Sequence, residues 1–299
     1  MCTFNGDRFL KEQLDSIIRQ THKNWTIYAS DDGSSDTTLQ ILKRYQTQLG
    51  DNRLIILNGP RKGFGRNFLS LINNIEIEAD YFAFSDQDDS WYDDKLERSL
   101  SKFSSCKKNT PALYCSRTRL IDIDGQPIGY SPLFTKKPSF RNALVQSIAG
   151  ANTMLINSAA RKLMQQVDSN ATIVAHDWLA YLLVSGCGGE VTYDPAPSLD
   201  YRQHGGNLIG ANADFKNQIS RVRKMLTGRF KDWTSKNLTV LATIKHNLTS
   251  ENEQRLQHFE LARKSGLLNR LRLMKKTGVY RQTLKGTISL KIAVVFNKI

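Results

Sequence analysis

An apolar run that stops against three carboxylates constrains the fold of this chain more than any other feature. Tyr81 to Phe84 has the composition of a short buried strand, and Ser85-Asp-Gln-Asp-Asp-Ser-Trp91 follows it directly. Asp86, Asp88 and Asp89 at one strand end repel one another unless a cation sits among them. Oxygen ligands of this kind suit Mg²⁺ or Mn²⁺, either of which also binds substrate phosphates. In an open α/β sheet the carboxyl end of a strand is where ligands bind. Two blander readings compete. One is a solvated acidic turn. The other is a calcium loop using Asp86, Asp88, Ser90, Asp94 and Glu97, but such a loop needs glycine where Trp91 stands, and a helix rather than a strand ahead of it.

Strands and helices alternate around this segment. Trp25 to Ser30 reads as a strand running into Asp31-Asp-Gly-Ser-Ser-Asp36. Ser35 or Asp36 would cap a helix that buries Leu39, Ile41, Leu42, Tyr45 and Leu49. Leu54 to Leu57 is another apolar strand, and Gly63-Phe-Gly-Arg-Asn-Phe68 opens a helix through Ile75. This alternation predicts an α/β fold with a doubly wound, mainly parallel sheet flanked by helices. Residues 111–205 add a strand near Leu113–Ile121, a turn at Asp122-Ile-Asp-Gly125, an apolar helical stretch over 142–148 and a helix from His176 to Ser185. The start is unusual. Met1-Cys-Thr-Phe-Asn-Gly6 reads as the turn after a strand, with a helix carrying Phe9, Leu10, Leu14, Ile17 and Ile18 behind it. The expectation is that Met1 is internal to a longer natural chain whose apolar first strand lies upstream.

Charge divides the chain. Of the formal net charge of +14, residues 1–215 contribute almost nothing, with 23 Lys and Arg against 24 Asp and Glu. Residues 216–299 hold 19 against 4. The organisation expected is a catalytic domain over 1–215 and a basic, mainly helical C-terminal segment over 216–299. Four cysteines without a CxxC pair or framework spacing predict reduced thiols in a cytoplasmic protein. No secretory signal is visible, and no stretch reaches the ~18 apolar residues of a membrane span. The basic segment mixes cations with aliphatic residues at near-helical spacing, as in Leu267 to Met274, which suits a helix lying on an anionic membrane surface. A solvated helix covering the domain is the second reading. Nucleic acid ranks third, because no binding motif accompanies the charge.

Four motifs stand in one order: Thr3-Phe-Asn-Gly6, Asp31-Asp-Gly-Ser-Ser-Asp36, Asp86-Gln-Asp-Asp89 and His176-Asp-Trp178. With them the chain resembles the family 2 glycosyltransferases of GT-A fold over roughly residues 1–210. Ser85 to Trp91, and Tyr201-Arg-Gln-His-Gly205 with Asn207, are similar to the bacterial rhamnosyltransferase branch. The resemblance implies that Thr3, Phe4 and Asn5 line a nucleotide pocket, with Phe4 stacking on the base. Asp32 would accept from a pyrimidine N–H. Asp86 would support the donor, Asp88 would hold a divalent metal (Mn²⁺ or Mg²⁺) on its diphosphate, and His204 would add a metal or phosphate contact. Asp177 corresponds to the general base, which takes the acceptor proton at ~3 Å, and direct displacement inverts the anomeric centre. His176 would tune Asp177 or meet the acceptor. Arg66, behind Gly63 and Gly65, would add charge near the donor phosphates at a helix start, and Gly150-Ala-Asn-Thr153 would border the acceptor.

The partners implied are a dTDP- or UDP-sugar donor, first dTDP-L-rhamnose, and a glycan or lipid-linked glycan acceptor. The setting implied is bacterial surface polysaccharide (O-antigen) synthesis at the inner face of the cell membrane. Two alternatives stand beside it. One is a UDP-hexose enzyme of the same fold. The other is an inactive relative that binds membrane or partner through the basic segment.

Overall fold

A computed structural model describes residues 1–104, 106, 109–168, 171–203 and 228–299. Its first sheet is wholly parallel, as the alternation predicts: β1 (Cys2–Thr3), β2 (Ile27–Asp31) and β3 (Leu54–Asn58), in that spatial order. Parallel neighbours need crossover connections, and α1 (Leu10–Ile18) and α2 (Thr38–Leu49) supply them. Leu10, Leu14, Ile17, Ile41, Leu42 and Tyr45 on these helices pack on Ile27, Ala29 and Leu54. Asp36 does not cap α2 directly. The N-cap is Thr37, and the Asp36 carboxylate accepts from the Thr38 N–H at 2.9 Å. Although the sequence opens on a turn, Cys2 and Thr3 pair with Ser30 and Asp31. The Met1 amino group donates to the Tyr28 carbonyl at 2.8 Å.

Helix α3 (Phe64–Asn73) then leads to a second sheet of six strands. In chain order its elements are β4 (Tyr81–Ala83), β5 (Ser90–Trp91), α4 (Lys95–Ser101), β6 (Ala112–Ile121), β7 (Pro127–Tyr130), α5 (Phe140–Ala143), β8 (Leu155–Asn157), α6 (Ser158–Gln165), α7 (His176–Gly186) and β9 (Glu190–Arg202). The spatial order is β4-β8-β6-β9-β5, with β7 hairpinned onto β6. Only β6 and β9 run parallel; the other pairs are antiparallel, so this sheet is mixed. The Cys2 N–H donates to the Ser85 carbonyl at 3.2 Å and ties the two sheets at the mouth of the site. The stretch read as helical over 142–148 is helical only to Ala143, yet Val145 and Ile148 remain buried.

The C-terminal part forms α8 (Arg229–Thr243), α9 (Ser250–Lys264), α10 (Leu267–Thr277) and α11 (Leu284–Val295). Phe230, Leu241, Ile244 and Phe259 share one buried cluster with Phe140 and Leu182. Trp233 meets Trp178 edge to face, 6.0 Å between ring centroids. Gly278, at φ 63°, ends α10 in the left-handed conformation that favours glycine. Among the described residues no helix is long and apolar enough to cross a membrane, and the four cysteines are free.

Candidate active site

At the end of β2 the two neighbouring carboxylates take different structural roles. Asp31 accepts from the Gly33 N–H (3.1 Å), the Ser34 N–H (2.8 Å), the Ser34 hydroxyl (2.6 Å) and the Thr3 hydroxyl (2.9 Å). Those bonds occupy it as the organiser of its own turn. Asp32 accepts from the Arg61 N–H at 2.6 Å and the Gly63 N–H at 2.7 Å. Each of its oxygens keeps acceptor capacity after one bond, so the base-reading role assigned to Asp32 is compatible with its structural one. Gly63, at φ 83°, sits in a conformation that favours glycine and opens α3, whose first turn carries the half-buried Arg66.

The loop after β1 is fastened on two sides. Asn5 donates its N–H to the Ser34 hydroxyl at 2.9 Å, and its side-chain oxygen accepts from the Ser35 N–H at 2.8 Å. On the other side, Gln87 takes the Phe4 N–H at 2.8 Å and returns a bond to the Phe4 carbonyl at 3.0 Å. A Cβ at Gly6 would lie 2.2 Å from the Gln87 amide oxygen, so this contact requires glycine at position 6. Held this way, the Phe4 ring stays 55% exposed, available to a stacking partner. Sequence reasoning passes over Gln87, which looks like a spacer inside the acidic motif. Its only signal is that it stands between the two carboxylates read as ligands.

The acidic turn after β4 divides its three aspartates. Asp86 and Asp88 are half-buried, whereas Asp89 is wholly buried and accepts from the Asn152 side chain at 2.7 Å. Asp89 is therefore a structural member of the turn, and Asn152, read as an acceptor border, forms its back wall. Burial pushes the Asp89 carboxyl well up, and neighbouring Asp88 and Asp86 add to the shift. Burial likewise pushes the Lys95 ammonium down to about 7, opposed by Asp89; it lies 4.2 Å over the Trp91 ring. Asp86 is pushed up to about 7 by burial, then by Asp88 and by Asp177.

Asp177 reaches this group from the first turn of α7, where its carboxylate accepts from the Trp178 N–H. Burial pushes it up to about 6 against that hydrogen bond. His176 beside it takes neither expected role. Its ring stacks on Phe68 at 3.9 Å between centroids and meets Phe84 at 5.2 Å and Phe64 at 6.3 Å. Neither ring nitrogen has a hydrogen-bond partner among the described residues, and burial pushes the imidazole down to about 3. A neutral ring packed on three phenylalanines holds the start of α7 against α3 and the end of β4, which brings Asp177 to the acidic turn.

The structure thus gathers Asp86, Asp88 and Asp177, with the Thr3–Asn5 loop fastened alongside through Gln87. His204, and with it Asn207, lies outside the described residues. Among the described residues no three His, Cys, Asp or Glu side chains form a ready metal cluster. The donor set still fits an octahedral ion such as Mg²⁺, which is commonly held by one or two carboxylates plus substrate phosphates and water. Mutual repulsion in the turn is what such an ion would relieve.

The profile of Glycosyl transferase family 2 matches residues 1–163. The dTDP-rhamnosyl transferase RfbG of Shigella flexneri is 31% identical over 233 residues, covering 74% of this chain and 78% of its own. An uncharacterized glycosyltransferase of Rickettsia typhi is 24% identical over 83% of this chain and 76% of its own. Among solved structures, S. aureus TarS with UDP-GlcNAc superposes at a TM-score of 0.53 and 13% identity, covering 93% of this chain and 91% of that one. The mannosyltransferase PcManGT from Pyrobaculum calidifontis, solved with GDP-Man and Mn²⁺, gives 0.52 and 13% over 99% and 84%. At that identity these two show the fold alone. The fold is GT-A-like, and the chain belongs to glycosyl transferase family 2 and is a glycosyltransferase.

Proposed function

We propose that this enzyme transfers L-rhamnose from dTDP-L-rhamnose to a glycan, carried on a lipid at the inner face of the membrane, with inversion at the anomeric carbon. The convergence of Asp86, Asp88 and Asp177 carries the chemical part of this reading. The likeness to a dTDP-rhamnosyl transferase carries the choice of sugar. Residues 1–215 would be the catalytic domain, with the basic segment over 216–299 appended to it.

In this reading the exposed Phe4 ring stacks on the base, and Asp32 accepts from the pyrimidine N–H. Thr3 and Asn5 line the pocket, and Arg66 adds charge toward the diphosphate. A divalent ion held by Asp88, with Asp86 in support, would offset the charge that develops on the departing diphosphate. Asp177 takes the proton of the acceptor hydroxyl as its oxygen bonds to the anomeric carbon and the bond to the diphosphate oxygen breaks. A carboxylate pushed up to about 6 is a stronger base than a solvated one and still ionised at neutral pH.

The test is transfer from a panel of dTDP- and UDP-sugars with Mn²⁺ or Mg²⁺ and lipid-linked acceptors, beside the Asp88→Asn and Asp177→Asn variants. Expected is one preferred donor, dTDP-L-rhamnose, with kcat lowered about 10²–10⁴-fold in Asp177→Asn. Preference for a UDP-hexose would replace the sugar and keep the mechanism. Undiminished turnover in folded Asp177→Asn would remove the general base assigned here.

A further inference from the structure

The last helix turns an apolar face outward. In α11 the residues Leu290, Ala293 and Val294 are buried against the rest of the molecule. At about 3.6 residues per turn, Leu284, Ile288, Ile292 and Val295 fall together on the opposite side, and all four are exposed, Leu284 by 76%. Lys291 and Lys285 lie at the two edges of this stripe, and Phe296, 63% exposed, extends it past the helix end. The helix cannot roll to hide the stripe. The buried Arg270 of α10 donates to the Val294 and Val295 carbonyls at 3.1 and 3.3 Å and pins its end. α10 itself exposes Leu268 and Leu271 beside Arg272 and Lys275. Over residues 265–299 there are eight Lys and Arg and no Asp or Glu.

We infer that this face of α11, with the adjoining leucines of α10, lies in the interface of an anionic phospholipid bilayer. A contiguous outward apolar stripe on a water-soluble surface marks an interaction site. Lysines along both edges, in a stretch whose sequence over 265–299 holds no Asp or Glu, match a layer of anionic headgroups above acyl chains better than a protein groove. Aliphatic side chains enter the headgroup boundary while the flanking cations stay at phosphate level. The geometry extends the contact from the Leu267–Met274 stretch, the sequence's example of the basic amphipathic pattern, to the exposed stripe of α11. It gives the lipid-linked acceptor reading a physical seat and rests on that reading for its setting.

The experiment is co-sedimentation of the full chain with vesicles of phosphatidylcholine alone and of phosphatidylcholine with phosphatidylglycerol. Expected is binding to the anionic vesicles only, weakened by salt, and lost in Ile288→Asp with Ile292→Asp. Should that variant fail to fold by circular dichroism, Lys285→Gln with Lys291→Gln lowers binding about fivefold per lysine instead. Transfer to a water-soluble acceptor stays unchanged in either variant. Equal binding by a folded variant and wild type overturns the inference. So does a wild-type dimer in sedimentation velocity that Ile288→Asp splits, which would assign the stripe to a second copy. Vesicle binding without sugar transfer would keep this surface and sink the catalytic reading, while transfer without vesicle binding would do the reverse.

Discussion

Single residues with the same side chain do different work here, because burial and partners sort them. Asp31 is saturated by four hydrogen bonds, Asp89 is sunk behind Asn152, and Asp86 and Asp88 stay half-open. Asp177 is pushed up to about 6. As a base it acts only when ionised, so kcat/KM should rise as pH climbs through about 6 and level off above it. His176 contributes nothing to this limb, since burial keeps it neutral down to about 3. A pH–rate profile of wild type and His176→Phe checks both points. The limb should stay in place in the variant, and its displacement would return His176 to the proton pathway. The sequence marks which acids matter by their place after apolar runs. It cannot rank them within Asp86-Gln-Asp-Asp89, because burial of Asp89 depends on Asn152, sixty-three residues away. Nor does it show that His176 packs on Phe68 and Phe84, a contact only the tertiary fold creates.

Among the elements, those built from local pattern are legible in the sequence and those built from distant pairing are not. The α1, α2 and α7 periodicities, and the β2 and β3 runs, are found within a residue or two of where they are read. β9 escapes the reading, although it is the longest described strand, because Pro195 and Pro197 interrupt it. Proline marks edges and bulges, and the register with β6 shifts there, between the Ser116–Asp194 and Arg117–Pro197 pairs. The short β4 and the turn that leads into it are held by one side chain of α6, which also lies over the Phe82 ring. Arg161, 8% exposed, donates to the carbonyls of Ile72, Asn74 and Ile77 and so ties off the end of α3 and the turn into β4. Removing it breaks three charge-assisted bonds and takes from the buried Ile77 carbonyl its side-chain donor, a loss of roughly 1–3 kcal/mol, while the Ile72 carbonyl keeps the Gln165 amide and the Asn74 carbonyl keeps the Ile77 N–H. Arg161→Ala is expected to destabilise by about 3 kcal/mol in denaturant melts, with Arg161→Lys losing less. A change under half that size would mean the carbonyls find water.

At the scale of the whole molecule, acid and base are segregated. The repelling carboxylates gather at the sheet ends and the surplus of cations lies in the helices that follow; among the described residues, Lys95 acts on Asp89 and the Met1 amino group on Asp86. The charge of the acidic turn is managed by protons or by an ion. Asp86, Asp89 and Asp177 all have carboxyls raised by burial. The folded state therefore binds their protons more tightly than the unfolded chain does. Their contribution is fullest below the unfolded value of about 3.9 and is lost as pH rises through about 6 and about 7. His176 works in the other direction, its lowered pKa costing stability only as pH falls below about 6.5. Between pH 6.5 and 8 the carboxylates titrate together with Lys95, whose ammonium burial pushes down to about 7, and a divalent ion competes with protons for the carboxylate oxygens alone. Mn²⁺ should accordingly raise Tm more at pH 8 than at pH 6.5. At a hundredfold excess over Kd the gain is about 2.7 kcal/mol. Calorimetric melts with and without Mn²⁺ at the two pH values measure it, with Asp88→Asn as the control that should abolish the gain. An equal Mn²⁺ effect in Asp88→Asn would place the ion elsewhere and leave the repulsion in the acidic turn to protons.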